Sequence, residues 1–486
     1  MALLLASGCT VGPDFEKPAA PDVATYTPAP LTATPATPNV AGGGAQTFDM
    51  GGDISGDWWT LFHSRPLNEL IDRSLTNNHD LKAAQAALRV ARENVLAQKG
   101  AYYPSITAGF SASRQSQPAT LAPVPSNNAF DYDLFTPEVA VSYTPDVFGL
   151  NRRTVESLKA QEEASRFQMI AVYTTLTSNV VVTAIQQAAT QEQIAATREQ
   201  IDADTKALEI LRYQLKKGYA SGIDVAAQEA QLAQVAAALP PLIKQLAQLH
   251  DLQADLAGQF PSQAPGDNFT LASLQLPQDI PVSLPSTLVA QRPDVRQAEE
   301  NLHAASAAIG VAIANRLPNI QLTTNAGSEA LVLGRLFAPG TGFWSAAAAL
   351  TAPIFDGGTL LHQERGAREA YIQALEQYRS TVLAAFQNVA DTLTALQQDA
   401  EALKTASTAA DAAKVTLDLT QRQLNDGYAA PLALLNAEQA YQQARVALVQ
   451  AQADRYSDTA ALFQALGGGW WHRPDLTGTA GDNHDQ

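Results

Sequence analysis

Asp80-Leu-Lys-Ala-Ala-Gln85 and, 214 residues later, Asp294-Val-Arg-Gln-Ala-Glu299 open two stretches with one plan. Each continues in a helical pattern to a proline: Tyr102-Tyr-Pro104-Ser-Ile106 in the first and Arg316-Leu-Pro318-Asn-Ile320 in the second, again 214 apart. A second pair of markers follows. Tyr213-Gln-Leu-Lys-Lys-Gly218-Tyr-Ala220 matches Arg422-Gln-Leu-Asn-Asp-Gly427-Tyr-Ala429 at a separation of 209. A third, weaker pair is Pro145-Asp-Val-Phe-Gly149 and Pro353-Ile-Phe-Asp-Gly357. Three markers in the same order make two halves of one architecture. Gly218 and Gly427 fit the position just past a helix end, where a left-handed backbone costs glycine little.

Each half carries strand signal between its proline and its third marker. In residues 135–143, Phe135, Pro137, Val139, Val141 and Tyr143 alternate with Thr136, Glu138, Ala140 and Ser142. Ile106, Ala108, Phe110 and Ala112 alternate with Thr107, Gly109, Ser111 and Ser113, and Ile320, Leu322 and Ala326 with Gln321, Thr323 and Asn325. A period of two gives one oily and one wet face. Trp344 to Thr351 is a weaker fourth strand. Hairpins are therefore expected over about 104–146 and 318–355, with loops near 115–130 and 329–342. An apolar-out, polar-in dyad is what a membrane barrel strand needs. The plainer alternative is a soluble hairpin on a core. Four strands cannot close a membrane barrel, so the barrel reading requires several copies of the chain.

The flanking segments are helical and long. Residues 150–217 lack Pro and Gly, enough for roughly 100 Å of helix. Residues 358–426 are comparable, with Gly366 near their start. Along the first, Tyr173, Leu176, Val180, Thr183, Gln187, Thr190, Ile194, Thr197, Ile201, Asp204, Leu208, Leu211 and Leu215 step by threes and fours. That is a coiled-coil seam diluted with Thr and Gln. Shorter helices are expected over 222–258, 294–316 and 431–466. The domain plan is a signal remnant (1–8), an extended segment (9–55), repeat one (56–265), repeat two (266–466) and a flexible tail (467–486).

Composition closes off other classes. The 486 residues carry 31 Lys+Arg against 48 Asp+Glu, a net charge of -17. Nucleic-acid binding needs clustered basic residues, so no nucleic-acid partner is expected. One cysteine, Cys9, excludes an internal disulfide and a multi-Cys metal site. Seven scattered histidines include no i, i+4 zinc pair. The uncharged run 167–191 holds Thr, Ser, Asn and Gln that would be expensive in lipid, so it reads as a helix in a protein interface. No nucleophile elbow, phosphate loop or dinucleotide fingerprint occurs, and Gly467-Gly-Gly469 lacks the Lys-Ser/Thr of a phosphate loop. No enzyme activity and no cofactor are expected.

The chain opens with an apolar run, Leu3-Leu-Leu5, and small residues before Cys9, followed by a Pro/Ala/Thr-rich stretch to about residue 47. The run resembles a bacterial lipoprotein signal, which implies acyl chains on Cys9.

Several motifs together carry a wider resemblance. They are Cys9-Thr-Val-Gly-Pro-Asp-Phe15, Trp58-Trp-Thr-Leu-Phe62, Leu67-Asn-Glu-Leu-Ile71, Asn78-His-Asp-Leu81, Arg292-Pro-Asp-Val295, Pro353-Ile-Phe-Asp-Gly-Gly358 and Leu466-Gly-Gly-Gly-Trp470. From Cys9 to about Trp470 the chain resembles the outer-membrane efflux family of TolC type, and within it the NodT-type lipoprotein branch. The resemblance implies an α+β membrane protein. Three copies would share a twelve-stranded outer-membrane barrel, four strands each, continuous with a long periplasmic helical barrel. It implies a homotrimer working with a periplasmic membrane-fusion (adaptor) protein and an inner-membrane RND pump, lipid-anchored in the outer membrane. A type I protein-secretion duct shares that fold, and a periplasmic coiled-coil adaptor is the structural alternative. The family places its periplasmic gate at the turns after Gly218 and Gly427. Asp224 matches an acidic position there, whereas Ala433 and Asn436 stand where the family often has acids. The implied constriction is therefore less charged than usual. An ordinary helix-start acid is the plainer reading of Asp224. Arg152 and Arg153 open the first long helix, and a position near lipid headgroups is the plain expectation for them.

Overall fold

The computed structural model describes residues 10–29, 31–117, 130–263, 266 and 269–477. In chain order, β1 (Thr47–Met50) precedes α1 (Arg65–Asn77) and α2 (His79–Lys99). The first hairpin follows as β2 (Ser105–Gln117) and β3 (Phe130–Tyr143), then α3 (Leu150–Lys217) and α4 (Gly222–Leu256). The second half has β4 (Asp279–Val282), α5 (Pro285–Gln291), α6 (Pro293–Ala314), β5 (Asn319–Ser328), β6 (Gly342–Thr351), α7 (Thr359–Asn425) and α8 (Pro431–Ala465). A one-turn α9 (Pro474–Thr477) ends the described chain. Cys9 and the signal remnant lie outside the described residues, as do the middle of the first hairpin loop and the last nine residues.

Two compact units are present, and each takes segments from both repeats. The first holds Met1–Pro18, Ala87–Ser165 and Ala298–Tyr378, and the second Ala19–Ala86, Arg166–Gln297 and Arg379–Gln486.

The first unit contains one antiparallel sheet in the order β2-β3-β5-β6. Its register aligns the two alternations. Val139 lies opposite Ala108 and Ala326, Val141 opposite Ile106, and Tyr143 opposite Leu322. Ala326 lies opposite Trp344, and Ile320 opposite Leu350. One face is thus apolar across all four strands, because residues of equal parity share a face. It is also open: Ile106 is 70% exposed, Leu350 69% and Trp344 78%. The opposite face carries Glu138, Ser142, Gln321 and Asn325, with Asn325 donating to Glu138 at 3.4 Å and Gln321 to Ser142 at 3.4 Å. Strands β2 and β6 are the two edges. Both long helices start under an aspartate cap. Asp146 accepts the N–H groups of Asn151 and Arg152 at 2.9 Å each, and Asp356 those of Gly358 and Leu360 at 2.9 and 2.8 Å. These carboxylates satisfy donors that a helix start otherwise leaves orphaned.

Arg153 departs from the expectation of a headgroup position. Its side chain is only 4% exposed. It donates to Val11 O (3.0 Å), Gly12 O (3.2 Å), Asp14 Oδ1 (2.8 Å) and Glu156 Oε2 (2.8 Å). Phe15 stacks on His303 with centroids 4.3 Å apart. The Val-Gly-Pro-Asp-Phe run after Cys9 is therefore a staple, held by a guanidinium whose fork of donors matches a bent backbone. Arg152 remains half-exposed and pairs with Asp146 at 3.4 Å.

The second unit is built on the seam. Tyr173, Leu176, Val180, Thr183, Gln187, Thr190, Ile194, Thr197, Asp204, Leu208 and Leu211 are all buried. Ile201 is half-buried and Leu215 exposed. Of the most apolar stretch of α3, 67% is buried inside the protein, in keeping with an interface helix. Helix α4 runs through Pro240 and Pro241, which supply no N–H to its ladder. A parallel two-stranded sheet pairs β1 with β4, tying the N-terminal segment to repeat two.

The residues from 467, expected to begin a flexible tail, are packed as far as 477. Trp470 is buried and donates its indole N–H to Gln291 O at 2.6 Å. Arg473 pairs with Asp57 at 2.5 Å and Asp475 at 3.1 Å. Gly469 (φ 69°) explains the triple glycine: a Cβ there would sit 2.2 Å from Ser55 O. Arg292 of the Arg-Pro-Asp-Val motif closes the same corner, donating to Ala465 O at 2.8 Å and pairing with Asp294 at 2.7 Å.

Candidate functional site

The two turns marked by Gly218 and Gly427 have the same backbone. Gly218 has φ 79° and Gly427 φ 81°. The Gly218 N–H donates to Leu215 O at 3.0 Å and the Tyr219 N–H to Gln214 O at 2.9 Å. The Gly427 N–H donates to Leu424 O at 3.1 Å and the Tyr428 N–H to Gln423 O at 2.7 Å. This paired closure is a Schellman motif, which needs a left-handed residue after the helix end. Tyr219 and Tyr428 follow at 83% and 86% exposure.

The next helices start differently. Ser221 caps α4 in a capping box: its hydroxyl accepts the Asp224 N–H at 3.2 Å, and Asp224 Oδ2 accepts the Ser221 N–H at 2.9 Å and its hydroxyl at 2.7 Å. Those donors, the Ser221 hydroxyl first, hold the Asp224 carboxyl below the usual carboxylate range. It is ionised at neutral pH. Helix α8 starts from Ala430 with Pro431 in its first turn and no side-chain cap. Ala433 stands six residues past Gly427, as Asp224 does past Gly218, and both Ala433 and Asn436 are exposed. Each turn thus gathers its own expected residues: Gly218 with Asp224, and Gly427 with Asn436. The helix-cap reading of Asp224 is realised, and it leaves the carboxylate's charge near solvent. The helices leaving the turns meet through a hydrogen bond from Gln439 to Gln231.

Roughly 15–20 Å along the helices from the turns, the seam holds a pair of acids. Asp204 on α3 and Glu438 on α8 are both buried. Gln200 donates to Asp204 Oδ1 at 2.9 Å and Gln228 of α4 to Asp204 O at 3.3 Å. Burial, then the facing Asp204, pushes the Glu438 carboxyl up to about 7, and burial pushes Asp204 upward as well. Asp204 was visible in the sequence as a lone acid at a seam position. Glu438 carried no signal, because its partner lies on another helix. A second pair, Asp399 on α7 and Asp458 on α8, behaves similarly, with Asp399 raised to about 7 by burial and then by Asp458. Among the described residues, no group of three His, Cys, Asp or Glu side chains is placed to hold a metal.

Comparison with known proteins agrees with this architecture. The model of the family described as outer membrane efflux protein matches residues 70–252 and 284–468, one stretch in each half. The pyoverdine export outer membrane protein OpmQ of Pseudomonas putida is 29% identical over 421 residues, covering 85% of this chain and 88% of that one. The toluene efflux pump outer membrane protein TtgC of Pseudomonas putida is 28% identical, covering 96% and 94%. Among solved structures, the outer-membrane channel OprN superposes with a TM-score of 0.84 at 26% identity, over 95% of this chain and all (100%) of that one. The MtrE outer membrane channel of Neisseria gonorrhoeae, crystallised in its open state, gives 0.80 at 26%, over 95% and 98%. The chain belongs to the outer membrane efflux protein family and has the fold of its outer-membrane channels.

Proposed function

We propose that three copies of this chain close one twelve-stranded barrel and form the outer-membrane duct of a tripartite efflux system. The observation that carries this reading is the sheet: four strands, one continuous apolar face open to its surroundings, and two unpaired edges. An exposed face of that kind is unfavourable in water and suited to lipid. Unpaired edges are hazards that a closed barrel removes, and four strands are too few to close one alone. A periplasmic adaptor and an inner-membrane RND pump are the partners of such a duct. Pyoverdine, toluene, solvents and antibiotics figure in the names of relatives, so small molecules are the cargo class. The duct passes cargo without catalysis or a bound cofactor. Acyl chains on Cys9 anchor it, and Cys9→Ser abolishes metabolic labelling with palmitate if so. The gate lies at the Gly218 and Gly427 turns, with Asp224 supplying its charge.

The test is a pair of substitutions on neighbouring residues. Val139→Arg puts a charge on the apolar face and should cost about 2–4 kcal/mol if near the bilayer midplane. Ala140→Arg, on the polar face, should be far milder. Heat-modifiable migration of the trimer reads both. Equal damage would favour a soluble two-sided sheet, and a heat-insensitive monomer would remove the shared barrel.

A further inference from the structure

The acid pair inside the turns has a geometry that calls for a proton. Asp204 Oδ2 and Glu438 Oε2 are buried and find no hydrogen-bond donor among the described side chains. Ionised carboxylates only accept, so two of them facing each other in a water-poor seam repel and leave lone pairs unsatisfied. One shared proton turns that repulsion into a charge-assisted O–H···O bond. Among the described residues, no Lys or Arg acts on the pair. The groups acting on the pair are each other, Gln200 on α3 and Gln228 on α4. The nearby Gln231 and Gln439 bond one another, and Arg445 of α8 is engaged with Glu199 of α3 at 2.7 Å on the exposed flank.

We propose that Asp204 and Glu438 form a protonation latch: a proton shared between the two carboxyls clasps helix α3 of one repeat to helix α8 of the other, several helical turns in from the Gly218 and Gly427 turns, and its loss releases them. The inference rests on the gate reading above, since release matters to transport only if the turns obstruct the duct. Its sign follows from linkage. The clasped state binds the proton more tightly than separated carboxyls do, so clasping is favoured in acid and lost as pH rises through the raised value near 7. Below about 4.3, the value of a free glutamate, separated carboxyls are protonated too and the preference no longer changes with pH. A periplasm near neutrality sits at the upper edge of that window, so acidification from there moves the pair toward the clasped state.

The experiment measures the purified full-length protein, in two ways, at pH 5.5 and pH 8. In planar bilayers the wild type should open about tenfold more often at the higher pH, a conservative part of what such a shift permits. In detergent it should melt at a lower temperature at pH 8. Glu438→Gln replaces the shared proton with a permanent amide donor to Asp204, so it should open rarely at both values and keep only the melting difference that the Asp399–Asp458 pair supplies. Asp204→Asn should do the same, which guards against one variant misfolding. Asp399→Asn alters the other acid pair and should keep the wild-type change in opening. A wild-type pH response of the openings surviving in both Glu438→Gln and Asp204→Asn overturns the latch. If the melting difference between wild type and Glu438→Gln appears while openings are independent of pH in every protein, the latch stands and the gate reading fails.

Discussion

The turns at Gly218 and Gly427 end their helices identically and begin the next ones differently. Both close through a left-handed glycine and the same two backbone bonds. After that, Ser221 and Asp224 form a reciprocal cap on α4, while Ala430, Pro431 and Ala433 leave the start of α8 without a side-chain cap. The fold tolerates either chemistry, so the backbone closure, and not the acid, is what the architecture requires. Charge at this end is then free to vary, and where it is kept its consequence is electrostatic. A carboxylate repeated by three-fold symmetry around a duct would draw cations and repel anions.

The comparison can be broken at its common part first. Gly218→Val and Gly427→Val each force a branched side chain into the left-handed region, at a cost of about 1–2 kcal/mol or more. The two losses should be equal in thermal or denaturant melts, because nothing lies within 4 Å of either glycine's added Cβ. A clearly unequal pair would mean that the turns are held by contacts of different strength. The caps come next. Ser221→Ala should cost about 1 kcal/mol, whereas Ala430→Ser should gain at most a few tenths of a kcal/mol, because the Ala433 N–H already donates to Ala430 O at 2.9 Å. The smallest effect is pH-dependent. Asp224 has a lowered folded value, so its contribution to the α4 start is present above the unfolded carboxyl value and fades as pH falls through the folded one. Amide exchange at residues 222–225 should therefore speed up in acid relative to 432–435, which contain no carboxylate to lose.

The long elements were legible because their signals are repetitive. Eleven seam positions from Tyr173 to Leu211 are buried in the order their three-four spacing dictates. The strands were legible because their alternation persists, and register then assembles separate oily faces into one. What stayed hidden was pairing across distance. Strand β1 is four residues long and meets β4 some 230 positions later, with too few alternations for a period to register. Arg153 looked like a helix-start cation, yet the carbonyls it binds belong to residues 11 and 12. The glycine-rich corner at 467–469 read as a loop into a tail, because nothing local announces that Ser55 presses against it. At the candidate site the same division holds. Glycines and caps are local and could be read from spacing, while the partnership of Asp204 with Glu438 exists only in three dimensions.

The most direct test of the account is the ion selectivity of the reconstituted channel under a salt gradient. The reversal potential should show cation preference in the wild type, a weaker preference in Asp224→Ala, and a stronger one in Asn436→Asp, which adds an acid to the second turn. Reversal potentials unchanged in both variants would contradict the placement of these turns at the constriction, whatever the state of the fold.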